Sequence, residues 1–409
     1  MGIISPLGNS VGEAVENAFA GKSGIRHCDK YLDGEYGEKI PIRVAGVVEG
    51  FDESQYVPQK FVGIFDPTVT FALAATQEAL FAADIIFTEE QRLRTGVVIG
   101  TAGGGCQSYT KAFKIAFAEK KAHEIPASLF IQQSGNMPAA FIALTNKFRG
   151  PNIGLVNACA SSGTAIGLAS DYIRFGKADV MITGGTEASI GVGLFGCLTN
   201  TRAANMTSDP DRACRPFSLD RCGLVQGEGS GIIVLEAMED ALARRARIYG
   251  EILGDAQTNE AYHIITPNPT GEGWARAMKL AMETAEITSD DVDYISAHAT
   301  STLLGDLAET KAIKMALGRR AYDIPVSALK SMLGHTFGAA GAIETILSLA
   351  AMNRGMILPT IALTQPDPDC DLDYVPNMGR EAKTSVLMKN SFGFGGTNSI
   401  LVIKNYFSA

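Results

Sequence analysis

The sequence predicts an α/β fold built from two halves, and three observations carry that expectation. Short apolar runs rich in Val and Ile alternate with helical patterns along most of the chain, the mark of strands covered on both faces. A strand, helix and strand unit stands out at residues 153–183. Beyond it, a charged helix at 239–247 closes one series and a fresh strand, IYGEILG, opens another. The expected division is therefore 1–247 and 248–409, with five layers if the two halves pack face to face.

Taken in order, the expected strands are 95–100, 152–158, 178–184, 231–235, 248–254, 294–298, 385–390 and 400–403. The clearest helix begins near Cys159, carries Arg174 in its last turn and stops at Gly176, as helix C-termini do. Its residues are small: Ala160, Ser161, Ser162, Gly163, Ala165, Gly167 and Ala169. Such a helix packs closely on every side, so it is expected at the centre. Residues 199–222, rich in Asn, Asp, Arg and Pro, read as a long loop of the kind that carries function. The apolar stretch 339–352 carries Glu344 and reads as a buried helix, well short of a membrane span. No internal repeat and no low-complexity linker is visible.

Composition removes several functions. The chain has 409 residues, 46% hydrophobic and 19% charged, which is enough for a sizeable core and too apolar for disorder. A net charge of −9 leaves no broad basic surface for a nucleic-acid backbone. Seven cysteines, an odd number without a C-x-x-C pair, argue against a disulfide framework and against a cysteine zinc site. The start, MGIISPLGNS, lacks the features of a secretory signal, and Pro6 breaks the myristoylation pattern. A cytoplasmic setting is expected.

Two glycine clusters invite a phosphate-loop reading and fail it. Gly21-Lys22-Ser23 ends like a Walker A loop, but Glu16 stands where that motif needs glycine. GTAGGG at 100–105 follows a strand, yet its spacing does not fit a dinucleotide site. Tight turns and close backbone approach explain these glycines as well.

Cys159 follows an apolar strand and opens a helix, where unpaired N–H groups and the helix dipole lower a thiol's pKa. On that ground alone it is either a nucleophile or a buried structural cysteine. Of the five histidines, His298 ends a strand and His335 sits in a turn before a small-residue helix. Ligands of α/β sheets gather at strand carboxyl ends. His27 and His123 sit in polar stretches, and His263 stays open.

NACASS around Cys159, AHATST around His298, ALKSMLGHTFGAAGA around Lys330 and His335, and NSFGFGGTN at 390–398 resemble, in the same order and spacing, the signatures of elongating β-ketoacyl-acyl-carrier-protein synthases. SPLGNSV, AGKSGI, CRPFSLDRCGLVQGEGSG, EAYHIITPNP and DLDYVPN extend the resemblance along the whole chain, the last three towards the synthase II branch. It implies a thiolase-like αβαβα fold of two pseudo-symmetric halves, a homodimer, and no cofactor of its own, the substrates arriving on the phosphopantetheine arm of acyl carrier protein. The Cys/His/His set separates the chain from degradative thiolases and from priming synthases. Alternatives are a ketosynthase of a polyketide or specialised-lipid pathway, or a non-catalytic partner subunit, which the presence of Cys159 disfavours.

The resemblance also implies roles. Cys159 takes the acyl group, the N–H groups of Cys159 and Phe394 hold the oxyanion, and His298 and His335 stabilise an enolate. Lys330 is an organising cation with Glu309 as its expected counter-charge, and Asp306 supports it. Thr300 and Thr302 bind the pantetheine arm, while Phe392 and Phe394 gate the thiol. Departures are Ala299 where the family usually has Gly, and Ser218 and Cys222 in place of residues commonly acidic. Gly103 stands where a bulkier residue is usual, so a wider acyl pocket is expected. Residues 58–66 are poor in basic side chains, which leaves Lys111, Lys114, Lys120, Lys121 or Arg202 to dock the carrier. The chain begins later than most relatives, so the usual first strand is expected to be missing.

Overall fold

The computed structural model describes residues 1–32, 35–201 and 203–406. Its frame is two five-stranded sheets. The first is built from β1 (Gly2–Ile4), β2 (Thr95–Gly100), β3 (Asn152–Leu155), β4 (Val180–Glu187) and β5 (Gly229–Glu236). The second is built from β6 (Gly250–Asn259), β7 (Tyr294–Ser296), β8 (Val326–Ser327), β9 (Val386–Gly393) and β10 (Thr397–Asn405). Among the helices of the described residues, those that layer with the two sheets are α1 (Pro67–Ala83), α2 (Met137–Asn146), α3 (Ser161–Arg174), α4 (Glu272–Thr284), α5 (Leu303–Leu317) and α6 (Ala340–Met352).

The two sheets share one topology. In the first the strand order is β3-β2-β4-β5-β1, and in the second β8-β7-β9-β10-β6. β2 runs parallel to β3 and β4, while β5 is antiparallel to β4 and β1. β7 is likewise parallel to β8 and β9, and β10 antiparallel to β9 and β6. The helices follow the same alternation, so α1, α2 and α3 correspond to α4, α5 and α6. This duplication is invisible as a sequence repeat because topology requires only that apolar strands and helices recur in order, whatever their residues.

Helices α3 and α6 lie between the sheets, α1 and α2 cover the first sheet outside, and α4 covers the second with α5 beside it. The layers are thus α, β, α, β, α, as expected. The small residues of α3 make this spacing possible. A Cβ on Gly167 would come within 2.4 Å of Asp255, and one on Gly341 of α6 within 2.8 Å of the Gly163 backbone nitrogen. Ser162 Oγ accepts the Ala342 N–H at 3.0 Å, tying the two helices together. All of α6 is buried, including Glu344.

Several boundaries differ from the sequence reading. Cys159 precedes α3 instead of opening it, because Ala158 turns through φ +47° and Ala160 forms the cap. A strand does open the chain, since Gly2–Ile4 pairs with β5 at the sheet edge. The expected loop at 199–222 is entered by a helix, Val192–Thr201, and holds a 3-10 turn, Pro210–Arg212. Within it, buried Arg221 is pinned by Asp306 at 3.6 Å and Asp367 at 2.6 Å. Among the described residues no helix is long and apolar enough to cross a membrane, and all seven cysteines are free.

Gly341→Ala is expected to destabilise the fold by about 1–3 kcal/mol, since its methyl group meets backbone that has no room to move. Thermal melting measures this; an unchanged melting temperature would contradict the close contact between α3 and α6.

Candidate active site

Corresponding loops of the two halves converge on one cavity of about 370 Å³. Cys159 comes from the loop between β3 and α3, and His335 from the matching loop between β8 and α6. His298 follows β7, and Phe394 sits in the β9–β10 turn. All four line the cavity, with Thr300, Thr302, Phe392 and Glu309.

The thiol is held by backbone strain and close packing. Ala158 adopts the left-handed region disfavoured for a residue with a Cβ. Gly393 presses on this bend, and a Cβ there would lie 3.2 Å from both the Ala158 Cβ and the Cys159 nitrogen. That contact explains why glycine precedes Phe394. Burial pushes the Cys159 thiol up to about 12, while the Lys330 ammonium and the N–H groups of Phe394 and Cys159 pull the other way. The lowered thiol pKa expected of a helix opening is therefore not found, because Cys159 lies below the surface, 5% exposed, and desolvation of the thiolate dominates. The two N–H groups predicted to hold an oxyanion do face the sulfur.

His298 and His335 are buried with ring centroids 5.3 Å apart and planes 85° from parallel. Burial, followed by the Lys330 charge, holds both imidazoles well below the ordinary histidine range, so both are neutral near pH 7. Neither ring nitrogen of His335 has a partner, nor does His298 Nδ1, in the described residues. His335 is anchored through its backbone: its N–H donates to the Val225 carbonyl at 2.6 Å, and its carbonyl accepts from Gly227 at 2.8 Å. One half thus fixes a histidine of the other.

The loop after β7 is held by two carboxylates spaced on one face of α5. Glu309 accepts the N–H groups of His298 and Ala299 at 2.8 and 2.7 Å, and the Asn390 amide at 3.0 Å. Asp306 accepts those of Ser301 and Phe217 at 3.0 and 2.9 Å. Glu309 is accordingly not the counter-charge of Lys330. That partner is Glu344, at 2.7 Å, both groups being 1% exposed or less; Glu309 is fully engaged with N–H donors instead. Ala299 sits at φ +32°, a strained place where the family's usual glycine would relax.

Thr300 and Thr302 share a hydrogen bond at 3.1 Å on the cavity wall. Phe392 is stacked on Trp274 at 4.0 Å and wedged against His298, whereas Phe394 is 36% exposed. Gly103 does not line the cavity. Its N–H donates to the buried Glu187 carboxylate at 3.2 Å, and a Cβ would lie 2.8 Å from Oε1. The missing side chain is thus explained by the carboxylate, and the expectation of a wider acyl pocket gains nothing from it. Cys222 and His263 also line the cavity, and His263 Nδ1 accepts from Ile265 and Thr266.

Sequence reading missed Glu187, Lys389 and the role of Glu344. The signal was available: a lone charge inside an apolar strand or helix stays there only when paired. Glu187 ties both halves together by accepting from Ala102 and Gly338. Among the described residues, no group of three or more His, Cys, Asp or Glu side chains is placed to hold a metal ion.

Residues 1–241 match the β-ketoacyl synthase N-terminal domain, and residues 249–364 its C-terminal domain. The chain is 39% identical over 406 residues to a 3-oxoacyl-[acyl-carrier-protein] synthase 2 of Staphylococcus aureus, covering 99% of this chain and 97% of that one. It superposes with a TM-score of 0.91 on a structure of a type II polyketide acyl-carrier protein in complex with its ketosynthase, at 31% identity over 99% of this chain and 97% of that one. The ishigamide ketosynthase/chain length factor gives the same TM-score at 32% identity, with the same coverage.

Glu309→Ala leaves the buried N–H groups of His298 and Ala299 without acceptors, so a destabilisation of at least about 2 kcal/mol is expected. Chemical denaturation reads it; parental stability would contradict the anchoring role.

Proposed function

Because the chain belongs to the β-ketoacyl synthase family, which joins acyl and malonyl thioesters by decarboxylating condensation, we propose that Cys159, His298 and His335 divide the reaction between them. Cys159 attacks the thioester of an acyl carrier protein; the C–S bond to the carrier breaks, the carrier thiol leaves with the proton, and the acyl group stays on sulfur. The tetrahedral oxyanion lies between the N–H groups of Cys159 and Phe394. In the second stage the malonyl carboxylate departs as CO2, and its electron pair becomes an enolate. His298 and His335 donate hydrogen bonds to the enolate oxygen. The enolate carbon then attacks the acyl-Cys159 carbonyl, expelling the thiolate, which takes a proton from solvent, and 3-oxoacyl carrier protein is released.

The observation that carries this reading is one cavity in which a buried sulfur faces two backbone N–H donors beside two neutral imidazoles with unpartnered nitrogens. A resting thiol pushed up to about 12 fits a nucleophile that loses its proton during attack, with charge passing directly to those donors. Lys330, paired to Glu344, supplies the organising cation. Thr300 and Thr302 bind the pantetheine arm, and exposed Phe394 gates it, Phe392 being fixed by stacking.

Residues 1–247 and 248–409 act as two halves, each giving one sheet and half the site. Elongation in fatty acid synthesis is the function; the structural likeness to polyketide ketosynthases favours, as the second reading, a specialised pathway using the same site. Carrier docking falls to Lys111, Lys114, Lys120 and Lys121, all exposed on and just after the α-helix Cys106–Phe113 and the π-helix Lys114–Ala118 that continues it; Arg202 lies outside the described residues. A second copy of this chain covers the free edge of β3, where Val156 is 65% exposed beside the half-exposed strand. The setting is the cytoplasm.

Cys159→Ala is expected to abolish condensation while keeping malonyl decarboxylation, and His298→Ala and His335→Ala are each expected to lose decarboxylation at least about a hundredfold. Radiolabelled CO2 release measures decarboxylation and formation of the 3-oxoacyl carrier protein measures condensation; condensation at the parental rate by Cys159→Ala would remove Cys159 from its role. Lowered imidazole pKa values keep both rings neutral to lower pH than an ordinary histidine. The acid limb of decarboxylation should therefore fall below 6.5, the ordinary value. A limb above 6.5 would contradict neutral donors.

A further inference from the structure

Lys389 lies in the middle of β9, 0% exposed, paired in register with apolar Leu401 of β10 on one side and with Ser296 of β7 on the other. Its ammonium sits 2.6 Å from Glu344 Oε2 and 2.6 Å from the Asn390 carbonyl, with the carbonyls of Ser296 and Ala297 at 3.4 Å. Ser296 ends β7 and Ala297 follows it, directly before His298. Glu344, its ion-pair partner, is already bonded to Lys330. Two buried ammonium groups therefore share one carboxylate, an arrangement that is hard to retain for stability alone, since a well-packed apolar side chain at 389 avoids the desolvation.

We propose that Lys389 is a positioning residue of the condensing reaction: a fixed internal cation that clamps the end of β7 under His298 and, with Lys330, keeps His298 and His335 as neutral hydrogen-bond donors. The inference rests on the enolate-stabilising role given to those histidines above. The groups that face this cluster are Glu344 of α6, Glu309 of α5, Lys330 of the turn before α6, and the two imidazoles themselves. Glu309 is occupied by the N–H groups of His298 and Ala299 and by the Asn390 amide, so Glu344 alone pairs with the two ammonium groups. Burial lowers the Lys389 ammonium to about 8, still charged at neutral pH. Its charge adds to burial and to Lys330 in lowering both histidines.

Lys389→Met keeps length and apolar volume while deleting the charge. Malonyl carrier protein decarboxylation by the full chain, followed from pH 5 to pH 8, should show its acid limb moved towards neutral pH by about one unit. The maximal rate should fall about tenfold with the KM for malonyl carrier protein unchanged. A pH profile that superimposes on the parent's, at equal melting temperature, overturns the proposal. If Lys389→Met does not fold, carbon-13 NMR of Cε-labelled lysines in the unaltered protein decides. A buried lysine titrating near pH 8 and charged at pH 7 is expected, and one already neutral at pH 7 overturns it. Retained decarboxylation in His298→Ala and His335→Ala would instead overturn the reading of the site, whatever Lys389→Met does.

Discussion

The closeness of α3 to α6 is the constraint on which everything else depends. Two sheets of identical topology meet through these helices, and the helices touch at Gly163, Gly341 and the bond between Ser162 and Ala342. Each helix is preceded by a loop that lines the cavity, Cys159 before α3 and His335 before α6. Had the helices larger residues at this seam, the loops would separate and no cavity would join them. The glycine-rich and alanine-rich composition is therefore a requirement of the site as much as of the core.

Electrostatics impose the second constraint. The interior holds Lys330, Lys389 and Glu344, all within 1% exposure, beside two imidazoles. Ions so buried persist only with partners, and here the partners are a shared carboxylate and the carbonyl groups of Ser296 and Ala297. The positive surplus at the histidines favours their neutral form and favours negative charge on a thioester oxygen. The same field acts on Cys159, where it opposes the desolvation that otherwise keeps the thiol protonated. In the proposed mechanism, one cluster thus biases both stages.

Much of this was legible in the sequence. Strand runs such as Thr95–Gly100 appear as expected because Val and Ile on both faces admit little else. Cys159, His298 and His335 stood out by their places at element ends, and the family signatures joined them. What was not legible depends on distances across the fold. Glu309 lies in the same half as His298 and looked like a counter-ion for Lys330, yet the ion pair forms with Glu344 because α6 packs inside the turn that carries Lys330. The upward push of burial on the Cys159 thiol is not legible in the sequence, because burial depth is a tertiary property, whereas the helix N-terminus is a local one. The duplication of β1 to β5 as β6 to β10 is a matter of strand order and direction, which no evident sequence repeat announces.

The most direct measurement is mass spectrometry of the intact protein and its peptides after incubation with acyl carrier protein. The account predicts a single acyl group on Cys159, with Cys222 in the same cavity unmodified. Acylation of Cys222 or of another cysteine, or no acylation of a folded protein, would contradict it.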